Sequence, residues 1–408
     1  MISKPDPDAP LSLLVALALV VTLAVINLAG LTARTPFTSV DNLSKFGYDF
    51  NDFRRAARNL LAGEDPWSEI RFVTPPLSAV IAVPFAEVHP RNARSIFFAV
   101  NAACLTLGVF LYKSALFPAH REPRLTFALL MAALFSYPVA FLLHRGNIDG
   151  LVFLLVAFGI RLSSSPPGVW RDVLAAVAFA VAVNLKLYPV VILLPICIAH
   201  RWRLAGSTLA SAVVVAALTP GLWQAYLGHL QSRLEIFHLQ ENASLLNTLI
   251  PILVLPNHLT LNLRFLYDLE ALTIIAGALY AMLLIMSAAL DLRLARRPNA
   301  PNFAVLATFY LPFMVMVPRL AYHYVLVHLL ASVVLVHWLQ TRAHRSVRAY
   351  VVSMSVGVVL SQTQAMALYL VTGNPLAHFI PGTGVLLLVV AGLLLRFKMA
   401  GNPQLQPT

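Results

Sequence analysis

Four hundred and eight residues that are 59% hydrophobic and 11% charged, with a mean hydropathy of +0.78, lie far from soluble-domain composition, where about a quarter of residues are charged. The excess of 29 Lys and Arg over 17 Asp and Glu is scattered in short clusters between apolar runs, which fits membrane topology and argues against nucleic-acid binding. Cys104 and Cys197 sit far apart inside apolar runs, so neither a disulfide framework nor a thiolate metal site is indicated.

A hydrocarbon core of about 30 Å needs roughly 20 helical residues, and apolar runs near that length recur along the chain. The expected spans are 11–33, 95–113, 124–143, 148–163, 169–185, 187–200, 205–222, 269–291, 302–317, 323–339, 347–371 and 379–396. They describe an all-α polytopic membrane protein, a single domain over 1–408, with about 10–12 transmembrane helices. The N-terminal MISKPDPDAP carries little positive charge and no convincing cleavage site follows, so the first apolar run reads as a retained helix. Run 76–89 is half a span and opens with Pro75-Pro76; it reads as a dipping or surface helix. Pro138, Pro189 and Pro195 fall within spans and predict kinks.

Basic residues in short loops favour the cytoplasm. With the N-terminus inside, Lys4, Lys113, Arg161, Arg201, Arg293, Arg345 and Arg396 lie with their basic neighbours on the cytoplasmic side, and both termini are cytoplasmic. The short outer loops then hold only Arg145, Lys186 and Arg319. Trp170, Trp202, Trp223 and Trp338 fall at expected span ends, where amphipathic rings prefer the interface. Two long loops, 34–94 and 223–268, are outside, so the chemistry is expected there. In the first, the run from Asp49 to Gly63 predicts an amphipathic surface helix with Phe50, Phe53, Ala57, Leu60 and Leu61 on one side and Arg54, Arg55 and Arg58 on the other.

Asp49 and Asp52 begin that helix, where a carboxylate serves either as a cap or, at the water–lipid boundary, as a general base on a hydroxyl. Tyr48, the 63–67 turn and Pro75-Pro76 favour the second role. The cluster from His144 to Asp149, with Arg145 and Asn147, is either a polar hairpin turn or a site, because charge at membrane depth is costly. Lys186, near Tyr188, either snorkels to the interface or contacts a phosphate. In the second long loop Asn242 and Ser244 are the candidates. Arg319, Tyr322 and His323 break two spans, and the guanidinium suits phosphate oxygens. No acidic pair near the catalytic region has DxD spacing and no His or Cys cluster points to a metal, and no glycine loop points to a nucleotide cofactor.

In order, DFNDFRRAARNLLAGEDPW, TPPLSAVIAVPF, RGNIDGLVFLL, LKLYPVVILLPICIAHRWR, NASLLN and VPRLAYHYVLV resemble glycosyltransferase family 87 of the GT-C superfamily, which uses polyprenyl-phosphate sugars. The family includes phosphatidylinositol-mannoside mannosyltransferases and cell-wall arabinofuranosyltransferases. The resemblance implies metal-independent inverting transfer of mannose or arabinofuranose from a polyprenyl-phosphate-linked donor to a lipid or cell-envelope glycan acceptor, at the outer face of a bacterial plasma membrane. Asp49 matches the family's catalytic aspartate, Lys186 and Arg145 its basic donor-phosphate positions, and His323 a cavity-facing histidine. Phe53 and Trp67 stand where tyrosine is usual, and Arg319-Leu320-Ala321 replaces a small, tryptophan-containing run. The competing class is a transporter or flippase of a lipid-linked sugar. It would place polar residues near the midplane on broken helices in two related halves, and neither feature is evident.

Overall fold

The computed structural model describes residues 47–68, 74–117, 136–166, 168–234, 265–297, 301–316, 323–342, 345–362 and 380–402. Among them the regular structure is helical, with no strand. Helix α1 (Tyr48–Leu61) is followed by α2 (Pro76–Ala82), which tightens into a 3-10 turn (Val83–Phe85), and by α3 (Pro90–Leu116). Then come α4 (Tyr137–Arg145), α5 (Asp149–Ser163), α6 (Val169–Leu185), a 3-10 segment (Tyr188–Ile192) and α7 (Leu193–Ile198). Helices α8 (Trp202–Ala217), α9 (Pro220–Leu234), α10 (Phe265–Ala295) and α11 (Phe303–Val315) lead to a 3-10 segment (His323–Leu329) continued by α12 (Leu330–Arg342). Finally α13 (Arg348–Ser361) packs along α14 (Ile380–Gly401).

The chain is an all-α polytopic membrane protein. Helices α3, α10 and α14 are long and apolar enough to cross a membrane, and α8 with α9 forms one bent pair that passes the same test. Two expected spans, 148–163 and 302–317, form helices shorter than the roughly 20 residues a crossing needs: α5 has 15 and α11 has 13. Neighbouring helices approach closely through small residues, as membrane helices do without a hydrophobic drive between them. A Cβ on Gly108 of α3 would stand 2.5 Å from the Phe153 ring of α5. One on Gly357 of α13 would stand 2.8 Å from the Gly384 carbonyl of α14. Leu209, Val213 and Val214 of α8 and Ile274 and Ile285 of α10 are exposed, an apolar exterior suited to lipid.

Proline accounts for most departures from the sequence reading. Pro138 kinks nothing, because it lies in the first turn of α4 behind the Ser136 cap, where its missing N–H is harmless. Run 187–200 is no continuous span: Pro189 opens a 3-10 segment, and α7 is six residues long. Span 205–222 ends early, the chain turning 93° before Pro220 and running on as helix α9 where the second outer loop was expected to begin. Trp170 and Trp202 are exposed near helix starts, as expected of interfacial rings, whereas Trp338 is buried and Trp223 packs edge-on against Tyr226. Expected span 11–33 lies outside the described residues, as do parts of 124–143 and 347–371.

Candidate active site

The site is built where the start of α1 docks on the end of α4. Gly146 closes α4 at φ +68, and the N–H groups of Gly146 and Asn147 return to the Leu142 carbonyl at 2.9 and 3.3 Å. Gly47 begins α1 at φ +69 and donates its N–H to the His144 carbonyl at 2.7 Å. A Cβ on Gly146 would lie 2.9 Å from Phe50 Cβ, so glycine there provides both the left-handed turn and the room for α1. The cluster from His144 to Asp149 is therefore a capped helix–helix turn, more structured than a polar hairpin.

Helix α1 is clamped from the other side. Phe50 stacks on Phe97 at 4.4 Å and meets Phe85 edge-on at 5.6 Å. Arg54, expected on the solvent side, is buried. Its guanidinium donates to the Phe85, Ala86 and Val88 carbonyls at 2.9, 3.2 and 2.6 Å, and Arg58 joins it on Ala86 at 2.9 Å. Burial, and repulsion from Arg58 and Arg94, lower the Arg54 guanidinium from its ordinary value. Leu61, expected on the apolar side, is exposed because the helix runs past its support.

Asp49 caps nothing, since the N-cap position belongs to Gly47. Its Oδ2 accepts from Asn147 Nδ2 at 2.8 Å, and its Oδ1 pairs with Arg145 Nη2 at 2.8 Å. The Arg145 guanidinium lies over the Tyr48 ring at 4.9 Å and the Phe141 ring at 5.7 Å. Asp49 keeps 13% of its side-chain surface exposed, so the carboxylate is oriented by its two partners yet remains reachable. Each carboxylate oxygen has a second lone pair with which to meet a substrate hydroxyl. Asp52 is outside this arrangement and faces Arg55 of its own helix at 3.6 Å.

Two residues after Asn147, the same turn sends Asp149 inward. Asp149 is fully buried, with Lys186 Nζ 3.5 Å from its Oδ2 and the Tyr188 hydroxyl donating to its Oδ1. Lys186 holds this position because α6 ends there in extended backbone. The Tyr188 oxygen also meets His328 Nε2 at 2.9 Å. A phenol has one proton, and here it goes to Asp149; His328 therefore supplies the second hydrogen bond from Nε2 and keeps Nδ1 as an acceptor. His328 is wholly buried, its ring edge-on to Phe153 and Tyr188.

Tyr48, Asp49, Arg145 and Asn147 thus form one group, and Asp149, Lys186 and Tyr188 a second, joined by the α4–α5 turn. The sequence reading missed His328 and singled out His323 instead. The signal was available only weakly, as a polar ring inside an apolar run. Arg319, Tyr322, Asn242 and Ser244 lie outside the described residues, and of His323 only the backbone, at the start of its 3-10 segment, is described.

The sequence profile of Glycosyltransferase family 87 matches residues 72–318, more than half of the chain. The chain belongs to glycosyltransferase family 87. As a family 87 protein it is an enzyme that transfers a sugar. The family 87 match contains Arg145, Asn147, Asp149, Lys186 and Tyr188; Asp49 precedes it and His323 follows it. Asp49 is connected to the matched region through Arg145 and Asn147. No curated protein matches the chain in a sequence search.

Proposed function

We propose that this glycosyltransferase moves mannose or arabinofuranose, with inversion, from a polyprenyl-phosphate donor to a lipid or cell-envelope glycan. Asp49 is the general base. Its carboxylate takes the proton of the acceptor hydroxyl as that oxygen bonds to the anomeric carbon, while the bond from that carbon to the phosphate oxygen breaks. The polyprenyl phosphate departs as an anion and needs no strong general acid, only cations to hold its charge.

The observation that carries this proposal is the pairing of Asp49 with both Arg145 and Asn147 at a partly open helix junction. Asn147 orients the carboxylate. Arg145 supplies a guanidinium beside the base, where a donor phosphate would share it, and Lys186 stands behind the same turn on Asp149. Arg319 and His323 are proposed to add to the phosphate site. Asp52, Asp149, Tyr188, Asn242, Ser244, Tyr48 and Tyr322 are proposed to shape the substrate pocket. The reaction takes place at the non-cytoplasmic face of a bacterial plasma membrane, with both chain termini inside.

A donor screen tests the proposal. Purified protein in vesicles is offered polyprenyl-phosphate-mannose, polyprenyl-phosphate-arabinofuranose and nucleotide sugars with a membrane lipid extract. Transfer from a polyprenyl-phosphate sugar, and none from nucleotide sugars, is expected. Transfer from nucleotide sugars alone would contradict it, and movement of the lipid-linked sugar across vesicles without transfer would point to a flippase.

A further inference from the structure

The far end of the bundle holds a cavity. Helix α5 starts at the site with Asp149 and ends at Ser163, so its 15 residues span about 22 Å between the two. Around Ser163 a cavity of about 440 Å³ opens between the ends of α5, α7 and α10 and the starts of α8 and α11, a size typical of small-ligand sites. Trp170 and Trp202, both exposed near helix starts, belong to this end, which sets the cavity at the level of lipid headgroups.

Its wall is chemically specific. Asp291 is buried and gives Oδ2 to Arg396 and to the Tyr310 hydroxyl, while its Oδ1 has no hydrogen-bond partner. Ser163, which also lines the cavity, has a buried Oγ with none either. A charged pair buried in a membrane bundle far from the catalytic turn is expensive and has no part in sugar transfer as described above. Arg201 lines the same cavity, with two of its five donors spent on the Ser163 and Ser165 carbonyls. Beside it His200 holds φ 55, a left-handed conformation that is strained for a non-glycine residue.

A cation at the rim and a buried, unsatisfied carboxylate oxygen of a lining residue complement a zwitterion whose positive end enters first. We propose that this cavity holds the headgroup of a phospholipid carrying a primary ammonium group. The ammonium donates to Asp291 Oδ1 and Ser163 Oγ, and the phosphodiester pairs with Arg201. The chemistry of such a lipid fits this polarity, because its phosphate lies between the amine and the acyl chains. A quaternary ammonium has no N–H to give, and a glycerol headgroup has no positive charge.

Native mass spectrometry of the intact protein, released from detergent with equal amounts of phosphatidylethanolamine, phosphatidylcholine and phosphatidylglycerol, tests this. Retention of phosphatidylethanolamine should exceed that of the other two by about tenfold, the effect of one charge-assisted hydrogen bond. Ala199→Phe fills the cavity without removing a polar group and should abolish that preference; Ser163→Ala should reduce it several-fold. Equal retention of all three lipids would mean annular lipid only and would overturn the proposal. So would a preference that both variants keep in full. Should Ala199→Phe fail to purify as a folded protein, Ser163→Ala decides alone.

Discussion

Asn147 donates its side-chain amide to Asp49 at 2.8 Å across 98 residues of sequence, and so fixes the carboxylate from the turn between α4 and α5. Loss of a hydrogen bond to a carboxylate costs about 1.5–3 kcal/mol where, as proposed, it orients the base. Asn147→Ala should therefore lower the transfer rate about tenfold or more with little change in donor affinity. Steady-state kinetics that show only a raised KM would place Asn147 in donor binding instead.

Arg145 both pairs with Asp49 and lies over Tyr48, two roles that lysine fills poorly because its ammonium is neither planar nor forked. Arg145→Lys should retain the fold and lose several-fold in transfer, and Arg145→Gln should lose more. Equal activity of wild type and the lysine variant would show that charge alone matters there.

Gly146→Ala tests the joint between α1 and α4. The left-handed backbone costs an alanine roughly 1–2 kcal/mol. Its Cβ would also press on Phe50 at 2.9 Å. The variant should unfold a few degrees lower in a detergent thermal shift, and its activity should fall further than that loss of stability explains, because Asp49 moves with α1. Unchanged transfer would separate the joint from the chemistry.

Tyr188→Phe removes the hydroxyl shared by Asp149 and His328 and leaves both buried polar groups short of a partner. A stability loss of about 1–3 kcal/mol is expected, read from thermal unfolding in detergent. An unchanged midpoint would show that water replaces the hydroxyl.

Much of the site was legible in the sequence because charge inside or beside an apolar run is conspicuous. Arg145, Asn147 and Lys186 stood at span ends and Asp49 at the start of a surface helix, and the structure gathers them around one turn. What escaped followed from reading residue type ahead of position. Arg54 is four residues after Phe50 and falls by helical spacing on the same face, yet its charge suggested solvent; it is buried because three carbonyls at and just past the end of the 3-10 turn that follows α2 accept its donors. His328 escaped because a single histidine in an apolar run carries no pattern, and its meaning depends on Tyr188, 140 residues away. Helix ends escaped where proline broke or started them, at Pro138, Pro189 and Pro220.

Orientation in the membrane has its own test. In a background without Cys104 and Cys197, Asn242→Cys should react with an impermeant thiol reagent added to intact cells, and Ser346→Cys should not. The reverse pattern would invert the topology and move the proposed chemistry to the cytoplasmic face.

Replacement of the Asp49 carboxylate by an amide of the same shape addresses the central claim most directly. Wild type and Asp49→Asn, matched for folding and expression, are compared for transfer of radiolabelled sugar from a polyprenyl-phosphate donor to membrane lipid. Loss of a general base predicts a fall of about 10²- to 10⁴-fold in rate with donor binding retained. Equal transfer by the two proteins would contradict Asp49 as the base.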